Sequence, residues 1–167
     1  SWKPGAGSWK PGAVTSPIRL TISLPPGDEL TDTNYLPLAI SPDGSRIAYV
    51  GLRDGRRHLF LRSLSDVDSV LLPNTEGGRM PFFSPDGQWI GFFAANAINK
   101  VPIEGGPPST LVRTEGFRRG AAWGVDDAIV FAADGSPDLM RVPAAGGEPT
   151  VAVSAKLFSG ATALRWP

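Results

Sequence analysis

Short apolar runs occur along this chain in pairs, and a turn-forming tetrapeptide separates the members of each pair. Leu36 to Ile40 is followed by Ser41-Pro42-Asp43-Gly44 and then by Ile47 to Val50. Met80 to Phe83 is followed by Ser84-Pro85-Asp86-Gly87 and then by Trp89 to Phe93. Ala121 to Trp123, Gly124-Val125-Asp126-Asp127 and Ile129 to Phe131 form a degenerate third copy. Proline presets one turn dihedral, aspartate can bond its own backbone, and glycine accepts positive φ. Two apolar runs joined in this way predict a β-hairpin.

A third segment follows each hairpin: His58 to Arg62, Ala97 to Val101 and Asp138 to Val142. Apolar and polar residues alternate in these segments, the period-two pattern of a half-buried strand. Turns such as Glu104-Gly105-Gly106-Pro107 and Ala145-Gly146-Gly147-Glu148 lead into fourth segments at Val70 to Leu72, Thr110 to Val112 and Thr150 to Val153. The hairpin turns recur at spacings of 43 and 40 residues. Four short strands at that period are the signature of a propeller blade. A β-sandwich would give strands at similar intervals but no reason for the same turn to return. The expected fold is all-β: a partial β-propeller of about three four-stranded antiparallel blades, spanning about residues 35–75, 78–115 and 119–155.

Residues Phe83 to Ile90 and Ile40 to Tyr49, with their shared Ser-Pro-Asp-Gly turns, resemble the TolB-like repeat, also called the WD40-like PD40 repeat. Ala122-Trp123-Gly124, Ile129-Val130-Phe131 and Arg141 to Pro149 resemble something narrower, the extracytoplasmic propeller attached to certain bacterial membrane Ser/Thr protein kinases. Ile18 to Gly27 is similar to the strand that opens such domains, and that strand would latch an outer or closing blade. The resemblance covers roughly residues 17–167. It implies a bacterial, periplasmic or otherwise extracytoplasmic module that takes part in protein–protein interaction. The chain itself carries no kinase motif: no Gly-rich loop with its lysine, no His-Arg-Asp and no Asp-Phe-Gly.

Residues 1–16 read as a separate Pro/Gly-rich linker, because Ser1 to Gly7 is nearly duplicated by Ser8 to Ala13. Residues 17–167 form the propeller part. Trp166-Pro167 begins a fourth inner strand, at 164–167, with Pro167 in the place of Pro81. Three blades fall short of the usual four to eight. The expectation is therefore a piece of a larger propeller, or else two copies that close a ring by self-association through open edges.

Composition changes this picture little. Glycine (20) and proline (17) are enriched over the usual share of roughly 12%, which suits a turn-rich β fold. Basic and acidic residues number 16 each, so no global field attracts nucleic acid or an anionic membrane. There is no cysteine and one histidine, His58, which excludes disulfides, thiolate metal sites and two-His zinc motifs within one chain. No apolar run of about 18 residues is present, and the N-terminus lacks the pattern of a signal peptide.

Signals for chemistry are sparse. No nucleophile elbow or dinucleotide fingerprint occurs, and neither a catalytic set, a metal site nor a cofactor is expected. His58 reads as a half-exposed strand residue. Asp43, Asp86, Asp126 and Asp127 read as turn-capping residues, and the tryptophans and phenylalanines on the strands read as filling between blades. One pattern stands out. Five residues before the second and third hairpin turns lie Arg79 and Arg119 and, by extrapolation to a fourth, Arg165, with Arg118 and the loop aromatic Phe117 nearby; the first turn has Leu36 at that place. These positions are expected in the loops that return the chain from outer to innermost strand, facing one mouth of the central channel. Guanidinium groups there would favour a carboxylate, a phosphate or an acidic peptide. The function expected is a non-catalytic module that binds a protein, a peptide or a small anionic ligand. The alternative is a small hydrolase, or the propeller portion of a peptidase whose site is completed by oligomerisation.

Overall fold

The computed structural model describes residues 29–30, 38–113, 120–133 and 136–158. The strand expected within 18–24, the duplicated linker and the start of a fourth inner strand lie outside these residues. The described residues form three antiparallel sheets. The first joins β2 (Leu38–Ile40), β3 (Arg46–Arg53), β4 (Arg56–Ser63) and β5 (Val70–Leu71). The second runs β6 (Arg79–Phe83), β7 (Trp89–Ala94), β8 (Ala97–Pro102) and β9 (Ser109–Arg113). The third runs β10 (Ala121–Trp123), β11 (Ala128–Ala132), β12 (Leu139–Pro143) and β13 (Thr150–Val153), followed by a 3-10 turn at Ala155–Leu157. One strand was not foreseen. β1 (Glu29–Leu30) pairs with Leu52 and Gly51 of β3, extending the line of β2 along the same edge and giving the first sheet five strands.

Period-two alternation divides each strand between two faces, and the faces of adjacent sheets meet as dry seams. In the second sheet Phe83, Ile90, Phe92 and Val101 pack against Ala48, Val50, Leu59 and Leu72 of the first. Its other face sends Phe82, Phe93, Ile98 and Leu111 against Ile129, Phe131, Val142 and Ala144 of the third. The innermost strands β2, β6 and β10 pack in sequence, β6 touching both others. Three antiparallel sheets stacked about their first strands are a partial β-propeller. Among the described residues no helix is long and apolar enough to cross a membrane.

The repeated tetrapeptides close their hairpins with nearly the same bonds. Ser41 N donates to Arg46 O (2.9 Å) and Gly44 N to Ser41 O (2.8 Å); Ser84 N donates to Trp89 O (2.9 Å) and Gly87 N to Ser84 O (2.9 Å). The glycines take φ of 70° and 68°, the left-handed region that costs glycine nothing. The aspartates cap the turns as expected. Asp43 accepts from Ser41 Oγ (2.5 Å), Ser45 Oγ (2.6 Å) and Ser45 N (3.0 Å), and Asp86 accepts from Ser84 Oγ (2.5 Å) and Gln88 N (3.0 Å).

These bonds favour the ionised carboxyls. The Ser41 hydroxyl, then that of Ser45, holds Asp43 far below the usual carboxylate range; the Ser84 hydroxyl, then the Gln88 amide, lowers Asp86. Because the folded pKa lies below the unfolded value of about 3.9, each group stabilises the fold above about pH 4. That stabilisation is lost as pH falls below this point. The urea midpoint should therefore drop on acidification through about pH 4, and it should drop less in a D43N/D86N double variant than in the wild type. An identical acid dependence in both proteins would show that the turns contribute nothing to it.

Candidate functional site

Two concavities lie at opposite ends of the blades. The first lies at the end where the second and third strands of each sheet join. It has a volume of about 410 Å³ and is lined by Leu52, Gly55, Arg56, Arg57, Glu76 and Gly77. Arg56 and Arg57 open β4 directly after the turn at Asp54-Gly55. The returning loop is fixed beside them, because Gly77 N donates to Arg57 O (2.9 Å). Thr75 anchors the same loop from within: its buried Oγ1 accepts from Leu59 N (3.0 Å) and donates to Leu72 O (2.6 Å). Arg56 and Arg57 are exposed, and their guanidinium groups make no hydrogen bond or ion pair among the described residues.

Arg79 lies at the same end, two residues beyond Gly77. Sequence spacing placed it in the loop, but it is the first residue of β6, where it pairs with Phe93. A register shift between Arg79 and Phe82, with Met80 at φ 50°, joins it to the rest of the strand. A bulge of this kind re-aims the side chains beside it. Phe117, Arg118, Arg119 and Arg165 lie outside the described residues, so the ring of arginines is represented here by Arg79. Arg56 and Arg57 were not singled out in the sequence. The signal was present as adjacent arginines immediately after an Asp-Gly turn.

The second concavity, of about 330 Å³, opens between the hairpin turns of the second and third sheets. Trp89, Gly91 and Phe93 share one face of β7, and Ile98 and Lys100 continue that face on β8. Lys100 stands opposite Gly91, which offers no side chain, so its stem is free to lean toward the diagonal neighbour Trp89. Its Nζ lies 4.5 Å from the centre of the Trp89 ring and 5.9 Å from that of Trp123 across the seam. Cation–π attraction is the only partner interaction of this ammonium among the described residues.

The degenerate third turn completes the wall. Asp127 takes the place that Gly44 and Gly87 hold in the other turns and adopts φ 55° there. Its Oδ1 accepts from Trp123 Nε1 (3.0 Å). Asp126 pairs with Arg141 Nη2 at 2.7 Å, an exposed ion pair of small energetic weight. Asp126 and Asp127 thus depart from the capping role expected of them and reach side chains outside their own turn. Trp89 departs from the expected filling role, being half-exposed at the rim; Trp123 is also half-exposed but packs against the seam cluster and Phe82, and Phe82, Phe83, Phe92 and Phe93 are buried.

His58 lies on β4 and is half-exposed, with its Nδ1 buried and without a hydrogen-bond partner among the described residues. Among the described residues, no three His, Cys, Asp or Glu side chains gather as metal ligands would.

No family model matches this chain, and no curated protein does. Solved structures do. TolB from Acinetobacter baumannii is 26% identical over 75% of this chain and 33% of its own, with a TM-score of 0.62. A putative TolB from Agrobacterium tumefaciens is 23% identical over 71% of this chain and 50% of its own, with a TM-score of 0.56. The β-propeller domain of the Trilobed protease from Pyrococcus furiosus is 20% identical over 68% of this chain and 41% of its own, with a TM-score of 0.51. The chain therefore has a TolB-like β-propeller fold, and it spans between a third and a half of the length of these structures.

Proposed function

We propose that this chain is a non-catalytic binding module, the recognition portion of a bacterial extracytoplasmic protein, and that it meets an anionic partner at the arginine-bearing end of its blades. The observation that carries the reading is the 410 Å³ concavity in which Arg56 and Arg57 stand exposed, without an ion pair among the described residues. Arginine is suited to this task. Its planar guanidinium is only weakly hydrated and grips a carboxylate or phosphate through two parallel hydrogen bonds. Thr75 and the Gly77–Arg57 bond fix the loop beside these residues, so little conformational entropy is lost on binding. Glu76, on the same wall, selects against a bare cluster of negative charge and favours a ligand whose anionic groups are spaced, such as an acidic peptide. The partial resemblance to TolB-like and kinase-attached propellers supports an extracytoplasmic sensing or interaction role.

The test is calorimetric titration with a hexaglutamate peptide and, separately, with inorganic phosphate. Each charge-assisted hydrogen bond contributes about 1.5–3 kcal/mol. An R56Q/R57Q variant should therefore bind hexaglutamate at least about tenfold more weakly, with an unchanged melting temperature. Binding of the wild type should also weaken with added salt. Equal affinity in the variant, or no binding of either probe to the wild type, would remove the proposal.

A further inference from the structure

The geometry points to a second recognition site: the cleft between the hairpin turns of the second and third sheets is a saccharide site. It lies at the far end of the blades from the arginines and is independent of them. Its polar groups are mixed in kind and partly unused. The Lys100 ammonium and the Trp89 indole N–H are donors without acceptors among the described residues. Asp86 and Asp127 each commit Oδ1 to the protein and leave Oδ2 without a donor among the described residues.

Charge narrows the ligand. A simple cation would enter a space already held by the Lys100 ammonium, which occupies the face of Trp89. A simple anion would meet two carboxylates, Asp86 and Asp127, which also line the cleft. What matches is an uncharged ring that both gives and takes hydrogen bonds around its rim and presents C–H groups on a flat side. Each saccharide hydroxyl is donor and acceptor at once. Trp89 and Trp123, both on the lining of the cleft, supply the apolar, polarisable surface.

The third turn also brings to the cleft a group that the other two turns lack. The repeat places glycine at the left-handed position of each hairpin, and the third copy departs from it with Asp127 at φ 55°. Aspartate tolerates this left-handed backbone better than most residues with a side chain. Here it puts a carboxylate against Trp123 in the cleft. The corresponding seam between the first and second sheets has no such arrangement. There Arg46 stands where Trp89 does and Leu61 where Lys100 does, and Leu61 packs into the apolar cluster.

The experiment is a tryptophan-fluorescence titration with saturation-transfer NMR on the full chain. The probes are cellotetraose and chitotetraose, with tetraglycine as the zwitterionic alternative. One of the two saccharides should saturate. D127G, which restores the glycine of the repeat, should keep or raise the melting temperature and weaken saccharide binding about tenfold or more. K100M, which keeps the stem over Trp89 and removes the charge, should weaken it in the same way and leave hexaglutamate binding unchanged. The proposal fails if neither saccharide binds, if D127G and K100M bind as the wild type does, or if tetraglycine alone saturates the cleft.

Discussion

Replacing Phe92 with alanine should cost about 3–5 kcal/mol of stability, the range for deleting a fully buried aromatic ring. Phe92 is 1% exposed and sits at the centre of the seam between the first two sheets, among Val50, Leu59, Leu72 and Val101. None of these neighbours can follow the lost ring without leaving its own strand register, so a cavity remains and its lining loses dispersion contacts. With a urea slope of about 2 kcal/mol per molar, the midpoint should fall by roughly 2 M. The control is F158A. Phe158 is 51% exposed and outside the clusters, and its loss should change stability by less than about 0.5 kcal/mol. If F92A lost under about 1 kcal/mol, the sheets would not be close-packed against each other, and a stacked-blade account of this chain would fail with it.

The architecture was legible because one physical unit repeats. Ser-Pro-Asp-Gly can satisfy its polar groups only by closing a tight turn. Each of the twelve strands read from its flanks was found, with boundaries shifted by a few residues. β1 escaped because Glu29–Leu30 has no alternation to detect; its pairing with Leu52 and Gly51 is a property of the free edge of β3. The bulge in β6 was equally hidden. It brings Arg79 into the strand by way of a positive φ at Met80, a residue that sequence rules do not associate with that conformation.

The candidate sites were legible only in part. Arginine spacing picked out Arg79, which lies at the same end of the blades as one concavity, but Arg56 and Arg57 line that concavity. The tryptophan cleft was missed because apolar periodicity assigns a face and says nothing of depth. Trp89 and Phe93 share one face of β7, yet one ends at the open rim and the other in the seam. The clue that was available is Asp127, an aspartate in a slot whose neighbouring copies hold glycine.

Gly91 supplies the second large effect, through what it leaves out. A Cβ at this position would lie 2.2 Å from both Cε2 and Cζ of Phe82, its partner across the β6–β7 pair. The Phe82 ring lies over the glycine and is held in turn by edge contacts to Phe93 and Trp123, each at 6.3 Å between centres. G91A should force the ring out of this packing at a cost of about 1–3 kcal/mol. F82A alone, which leaves a cavity, should cost about 3–5 kcal/mol. The two losses should not add. Once the ring is gone the methyl group has room, and removing glycine from a strand interior returns about 0.5–1 kcal/mol of chain entropy. The G91A/F82A double variant should therefore be no less stable than F82A, a coupling of about 1–3 kcal/mol in the cycle. Simple additivity would mean that the ring moves aside freely. Trp123 would then not be held by Phe82, and the cleft would lose its fixed wall. A large coupling ties the shape of the cleft to a side chain that Gly91 lacks.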